Sequence, residues 1–125
     1  MMPDPISFQS SFFSIVHDGD VFVATINRDR LTDEDNLEQF HQDFSLLIEK
    51  HEVVKFVLRM SRLRYLTSSA IGKLITLHRK VNRLGGTLVL CELTSDVLTT
   101  LEAARLLTYF TNSKDLTGAM AMFEA

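Results

Sequence analysis

The chain has 125 residues and a mass of 14.2 kDa, with 46% hydrophobic residues, 23% charged residues and a net charge of −3, as expected for one globular domain. Its single cysteine, Cys91, excludes an intramolecular disulfide, and no apolar run approaches the ~20 residues of a membrane span. The first ten residues lack the features of a secretory signal, so we expect a cytoplasmic protein without membrane contact.

The first half of the sequence predicts a flexible start, a hairpin and a helix. Pro3 and Pro5 favour a flexible segment over residues 1–10. Two β-rich runs, 11–16 and 21–26, flank Asp18-Gly19 and predict a hairpin, because glycine accepts a positive φ. Apolar residues at helical spacing predict a helix over 32–50, with Thr32 and Asp35 at capping positions.

The second half predicts alternating strands and helices. The apolar run 53–60 suits a strand covered on both faces, and Thr67 or Ser68 caps a helix that ends at Gly85-Gly86. A buried strand over 87–91 follows, then a helix over 94–105, a short strand over 107–111 and a helix over 113–123. The order β-β-α-β-α-β-α-β-α predicts one α/β domain over 11–125, with a mixed, mainly parallel sheet and helical crossovers.

Charge is distributed unevenly along the chain. Residues 53–91 hold eight Lys or Arg and no Asp or Glu, whereas residues 1–52 hold three Lys or Arg and eleven Asp or Glu. We expect folding to set these basic residues beside acidic ones, in preference to forming a surface for an anionic partner. With a pI of about 5.7 and little aromatic interleaving, the sequence does not favour direct binding of nucleic acid.

The residue types that carry catalysis or metal binding form no motif in this sequence. The four histidines and Cys91 lack His-x-x-x-His or Cys-x-x-Cys spacing, so no metal or other cofactor is predicted. His78 lies on the apolar stripe of its helix and is interpreted as a packed histidine. Ser68 and His78 cannot form a dyad, because ten helical residues separate them by about 15 Å.

Three consecutive hydroxyl residues, Thr67, Ser68 and Ser69, lie at a predicted junction of strand and helix. Helix capping explains one of them. A hydroxyl on the first helical turn is also suited to a phosphorylation switch, since phosphate adds about −1.5 to −2 charges beside unpaired N–H groups. The residues alone leave capping and switching equally open.

Residues 53–92 resemble the STAS-domain family of bacterial anti-sigma-factor antagonists. The family pattern is a buried strand, a loop, Asp-Ser-Ser-Gly opening a helix, Gly-Gly and a second buried strand. Here the motif reads Thr67-Ser68-Ser69-Ala70 followed by Ile71-Gly72, with Gly85-Gly86 and TLVLC at the expected distance. Thr67 stands in place of the family's Asp and Ala70 in place of its Gly.

The resemblance implies a non-catalytic regulatory module that binds an anti-sigma-factor protein kinase, with a serine phosphatase as a further partner. It assigns the phosphoacceptor to Ser68 and partner contacts to residues 67–72: Thr67, Ser68, Ser69, Ala70, Ile71 and Gly72. A STAS scaffold of a signalling assembly without phosphorylation is the alternative. A small α/β hydrolase with Ser68 as nucleophile is a weaker one, because no base is evident.

Overall fold

The computed structural model describes residues 4–124, which form one six-stranded sheet flanked by helices. In their order across the sheet, its strands are β1 Asp4–Pro5, β2 Phe13–Asp18, β3 Val21–Ile26, β5 Lys55–Arg59, β7 Thr87–Cys91 and β8 Thr111–Ser113. A separate pair of strands is β4 Arg30–Leu31 and β6 Tyr65–Leu66. The helices are α1 Leu37–His51, α2 Ser68–Arg83, α3 Ser95–Ala103 and α4 Leu116–Ala121.

The predicted fold class is confirmed by the way the strands pair. β2 and β3 form the antiparallel hairpin, with Gly19 at φ +62° in its turn. β3, β5, β7 and β8 are parallel neighbours, and α1, α2 and α3 make the crossovers between them. Such an arrangement needs helices on the faces of the sheet.

The two central strands are covered on both faces, as their apolar sequences predict. Phe56 and Leu58 of β5 join the large core that also includes buried residues of α1, α2 and α3. Val57, between them, points to the opposite face and belongs to a second cluster with Val89 of β7 and Ala119 of α4. The alternation of side chains along a strand therefore divides β5 between two apolar layers.

Helix α1 begins five residues later than the sequence predicts. The carboxylate of Asp35 accepts hydrogen bonds from the Thr32 backbone N–H at 2.8 Å and from its hydroxyl at 3.2 Å, which closes a turn in place of a helix. Asn36 then caps α1 through its side-chain oxygen, which accepts from the N–H of Gln39 at 3.1 Å. The predicted cap spacing of Thr32 and Asp35 therefore belongs to a turn that precedes the helix.

The last strand and helix also differ from their predicted bounds. The strand lies at Thr111–Ser113, because the Asn112 amide donates to the carbonyls of Leu107 and Phe110 and holds them in a turn. Helix α4 begins at Leu116 and ends at Ala121, well inside the predicted 113–123. Asp115 caps it by accepting from the N–H of Gly118 at 2.8 Å.

The start of the chain lies against the sheet where it is described. Asp4 and Pro5 pair with His17 and Val16 of β2, and Ile6 and Phe8 pack against the large core. Residues 1–3 lie outside the described residues. The flexibility of the segment 1–10 therefore stays a prediction, and so does the domain boundary at residue 11.

Candidate functional site

The hydroxyl motif lies where β5 has crossed the sheet and the chain turns towards α2. After β5, the buried side chain of Leu63 anchors the loop, and Thr94 donates a hydrogen bond to its carbonyl at 2.9 Å. Strand β6 then pairs in parallel with β4, with Arg30 opposite Tyr65 and Leu31 opposite Leu66. Neither two-residue strand was predicted, because such short elements carry no readable periodicity.

Thr67 is the N-cap of α2. The sequence leaves Thr67 and Ser68 as the two alternatives for this position. The side-chain oxygen of Thr67 accepts from the N–H of Ala70 at 3.4 Å, and its hydroxyl donates to the carboxylate of Asp33 at 3.0 Å. Its own backbone N–H donates to the carbonyl of Leu31 at 3.0 Å. The Thr67 hydroxyl therefore already has a hydrogen-bond partner both as a donor and as an acceptor.

Ser68 and Ser69 have different surroundings from Thr67. Both are exposed on the first turn of α2, and neither side chain makes a hydrogen bond within residues 4–124. The first N–H groups of a helix have no partner inside the helix, so a negative group on this turn meets favourable dipoles. The geometry provides two free hydroxyls on the first turn of the helix.

The six predicted partner contacts divide by burial. Thr67 is half-buried, and Ser68, Ser69 and Gly72 are exposed, whereas Ala70 and Ile71 are buried in the large core. The buried pair holds the helix against the sheet. The contact roles of all six stay predictions, with the exposed residues as the surface that a partner can reach.

The charge around the motif differs from what the sequence suggests. Residues 53–91 contain no acid, yet Asp33 contacts Thr67, and Glu38 pairs with Lys73 at 3.0 Å. Lys73 holds the pKa of Glu38 below its usual value. Folding similarly pairs Lys55 with Asp20, Arg59 with Glu92 and Lys80 with Glu49. The prediction that acidic neighbours balance the basic middle is thus confirmed for four of its eight basic side chains.

The other candidate reactive groups are packed into the fold. Burial, followed by the nearby Glu92 carboxylate, raises the pKa of the Cys91 thiol to about 11, which leaves it protonated at neutral pH. His78 is buried against Tyr109 and Phe110, and its pKa is lowered by burial and by the charge of Arg79. Among residues 4–124, no group of three His, Cys, Asp or Glu side chains is placed to hold a metal ion.

No helix within residues 4–124 is long and apolar enough to cross a membrane. Together, the mixed sheet, its crossovers and the hydroxyl-capped helix define a small α/β domain with exposed polar residues at a helix N-terminus. Residues 14–119 match the STAS domain family, and the chain belongs to that family.

Solved structures share this fold. An anti-sigma-factor antagonist (STAS) domain protein from Planctomyces limnophilus superposes with a TM-score of 0.76 at 17% identity, over 90% of this chain and 98% of that one. The phosphorylated form of the Bacillus cell fate determinant SpoIIAA gives 0.65 at 16% identity, over 90% and 99% of the two chains. A stressosome structure gives 0.67 at 21% identity, over 86% and 93%. No curated protein matches the sequence. At these identities the likeness is one of fold, and the chain resembles anti-sigma-factor antagonists in its fold.

Proposed function

We propose that this protein is a non-catalytic, cytoplasmic antagonist that binds an anti-sigma-factor kinase and is released when that kinase phosphorylates Ser68. The observation that carries the proposal is that only one of the three hydroxyl residues is used by the fold. Thr67 is engaged in the helix cap and with Asp33, which leaves the exposed Ser68 and Ser69 hydroxyls available on the first helical turn. The family motif selects Ser68, the first serine of the pair. A serine phosphatase would restore the unmodified state.

Asp33 also bears on the departure from the family motif. Thr67 replaces the family's Asp, but the Asp33 carboxylate lies 3.0 Å from the Thr67 hydroxyl. A different part of the chain thereby supplies an acid beside Thr67, the residue that precedes Ser68. We propose that a kinase which needs an acidic neighbour would find it in Asp33.

Phosphorylation is expected to act on the interface and to leave the domain folded. The new dianion would stand on an exposed turn next to unpaired helix N–H groups, which favour negative charge. A partner surface packed against the same turn would have to desolvate that charge, which is costly without a matching cation. Loss of partner binding with little change in melting temperature is the expected result.

The direct test is intact-mass analysis after incubation with ATP and the kinase-type anti-sigma factor encoded nearest to this protein. A single addition of one phosphate is expected for the wild type and for Ser69→Ala, and none for Ser68→Ala. Ser69→Ala is the matched control, because both serines are exposed on the same turn. Modification that persists in Ser68→Ala would contradict the assignment.

The alternative function is a STAS scaffold in a signalling assembly that is not phosphorylated. The replacement of the family's Asp by Thr67 favours it, because the motif then lacks its own acid. The same experiment separates the two functions. A scaffold would bind its partner and show no change of mass.

A further inference from the structure

A polar groove of about 550 Å³ opens beside the N-terminal end of α2. One wall is the strand pair β4–β6, and the turn that follows β4 closes the other side. Its lining includes Asp29, Arg30, Glu34, Arg64, Tyr65 and Thr67. Thr67 is shared with the hydroxyl motif, so the groove and the exposed serines form one continuous surface.

The charged side chains of this groove are not paired with each other. Arg30 and Arg64 are exposed, and neither forms an ion pair within residues 4–124, although four basic residues of the chain's middle do. Asp29 and Glu34 likewise take part in no ion pair of the described residues. Asp33 also lines the groove, and its carboxylate accepts a hydrogen bond from the Thr67 hydroxyl. The groove therefore offers two cations and two carboxylates without an ion-pair partner among the described residues, beside a third carboxylate that Thr67 engages.

Tyr65 adds an apolar contact between these charges. Its side chain is on β6 and the residue is 51% exposed, and the guanidinium of Arg30 lies 5.9 Å from the centre of its ring. Tyrosine and arginine are among the residue types enriched at protein–protein interfaces and in their energetic hot spots. Their combination next to a regulatory motif indicates a protein ligand.

The backbone that carries these side chains is held firmly. The carbonyl of Asp29 accepts hydrogen bonds from the N–H groups of Arg64 at 2.8 Å and Tyr65 at 3.2 Å, and Leu31 accepts from Thr67. The groove is therefore formed before any partner arrives, and binding requires little ordering of the main chain.

We propose that this groove docks a protein segment that carries charges of both signs. A carboxylate of the segment pairs with Arg30 or Arg64, a basic side chain pairs with Asp29 or Glu34, and Tyr65 packs between them. The proposal rests on the proposed function, since the segment belongs to the anti-sigma-factor kinase. A purely acidic segment or a nucleic acid would meet the acids of the same groove, and like charges brought together across an interface are unfavourable.

The test measures the affinity of the kinase-type anti-sigma factor encoded nearest to this protein for single-residue variants by titration calorimetry. Arg64→Glu and Arg30→Glu are each expected to weaken binding about tenfold or more. Glu34→Lys is expected to weaken it as well, because it removes a carboxylate that pairs with the partner. Arg62→Glu and Arg79→Glu are the matched controls, since both arginines are exposed and lie outside the groove lining, and we expect changes of about twofold or less.

The possible outcomes separate the groove proposal from the proposed function as a phosphorylated antagonist. If Ser68→Glu releases the kinase while the three groove variants bind like the wild type, the groove proposal is wrong and the proposed function stands. If the wild type does not bind the kinase, both are wrong. Tighter binding by Glu34→Lys would indicate a purely acidic segment and overturn the mixed-charge proposal. A homodimer in sedimentation that Arg64→Glu dissociates would assign the groove to self-association, against the proposal. Circular dichroism of every variant shows whether the fold is retained.

Discussion

The two ends of helix α2 are held in place by different kinds of interaction. At the N-terminal end, side chains make the structure: Thr67 caps the helix and contacts Asp33, while Ser68, Ser69 and Gly72 are open to solvent. At the C-terminal end the backbone makes it: Gly85 has φ +83°, and Gly86 lies directly against the main chain of Val54. The same helix can therefore accept changes of its surface at one end and is sterically fixed at the other.

The glycines at the two ends make this contrast explicit. A Cβ placed on Gly86 would overlap the backbone carbonyl of Val54, whereas a Cβ on Gly72 would meet no atom within 4 Å. Gly86 is thus required by a close approach of two segments of main chain. Gly72 is not required by packing, which leaves its exposed surface for another purpose.

Gly86→Ala should destabilise the protein more than any other change considered at the two ends of α2. The added methyl group must displace the backbone of Val54, which leads into β5, and we expect a loss of about 3 kcal/mol in the free energy of unfolding. Urea unfolding followed by circular dichroism measures it. Gly85→Ala is a useful comparison, since that position is strained by its positive φ but has open space around it. A neutral Gly86→Ala would show that the two ends do not differ as described.

Removing the cap at the other end should cost less. Thr67→Ala deletes the oxygen that accepts from Ala70 and the hydroxyl that donates to Asp33, and we expect a loss of about 1 kcal/mol. Thr67→Ser keeps both hydrogen bonds and serves as the control in the same urea titration. If alanine and serine at position 67 were equally stable, the hydroxyl would contribute nothing to the cap.

Gly72→Ala is expected to act in the opposite direction. Alanine is a better helix former than glycine, and there is space for its methyl group, so the free energy of unfolding should rise by about 0.5–1 kcal/mol. Under the proposed function, the same variant should bind the kinase more weakly, because the methyl group protrudes from the contact surface. A more stable variant with unchanged binding would remove Gly72 from that surface.

The smallest effect is a pH dependence from His78 in the second half of α2. Burial and Arg79 lower its pKa from 6.5 in the folded state, so the unfolded chain binds the proton more readily. Above pH 6.5 His78 is mostly neutral in both states, and its contribution to the free energy of unfolding is retained. Below that pH the unfolded chain takes up the proton first, so the free energy of unfolding falls as the pH drops. We expect the melting temperature of His78→Gln to depend less on pH between 7 and 5 than that of the wild type. Parallel curves for the two proteins would exclude this contribution.

The sequence was sufficient to predict the elements that carry strong local signals. The hairpin at Gly19, the buried strands around Phe56 and Val89 and the helix opened by Thr67 were all predicted correctly. Each has a pattern that is complete within a few residues: a glycine with positive φ, a continuous apolar run, or a hydroxyl before an apolar stripe. The spacing of the motif and Gly85-Gly86 likewise gave the family.

The tertiary structure alone decided which distant groups meet at the site. The pairing of β4 with β6 brings Asp33 to Thr67, although 34 residues separate them, and the contact of α1 with α2 brings Glu38 to Lys73. Strands of two residues have no periodicity to read, and charge pairs between elements depend on crossover geometry. The predicted start of α1 was wrong for a related reason. Thr32 and Asp35 are hydrogen-bonded to each other in a turn whose sequence pattern is the same as that of a helix cap. Local sequence thus determined the scaffold and the exposed serines, while long-range packing determined the charges that surround them.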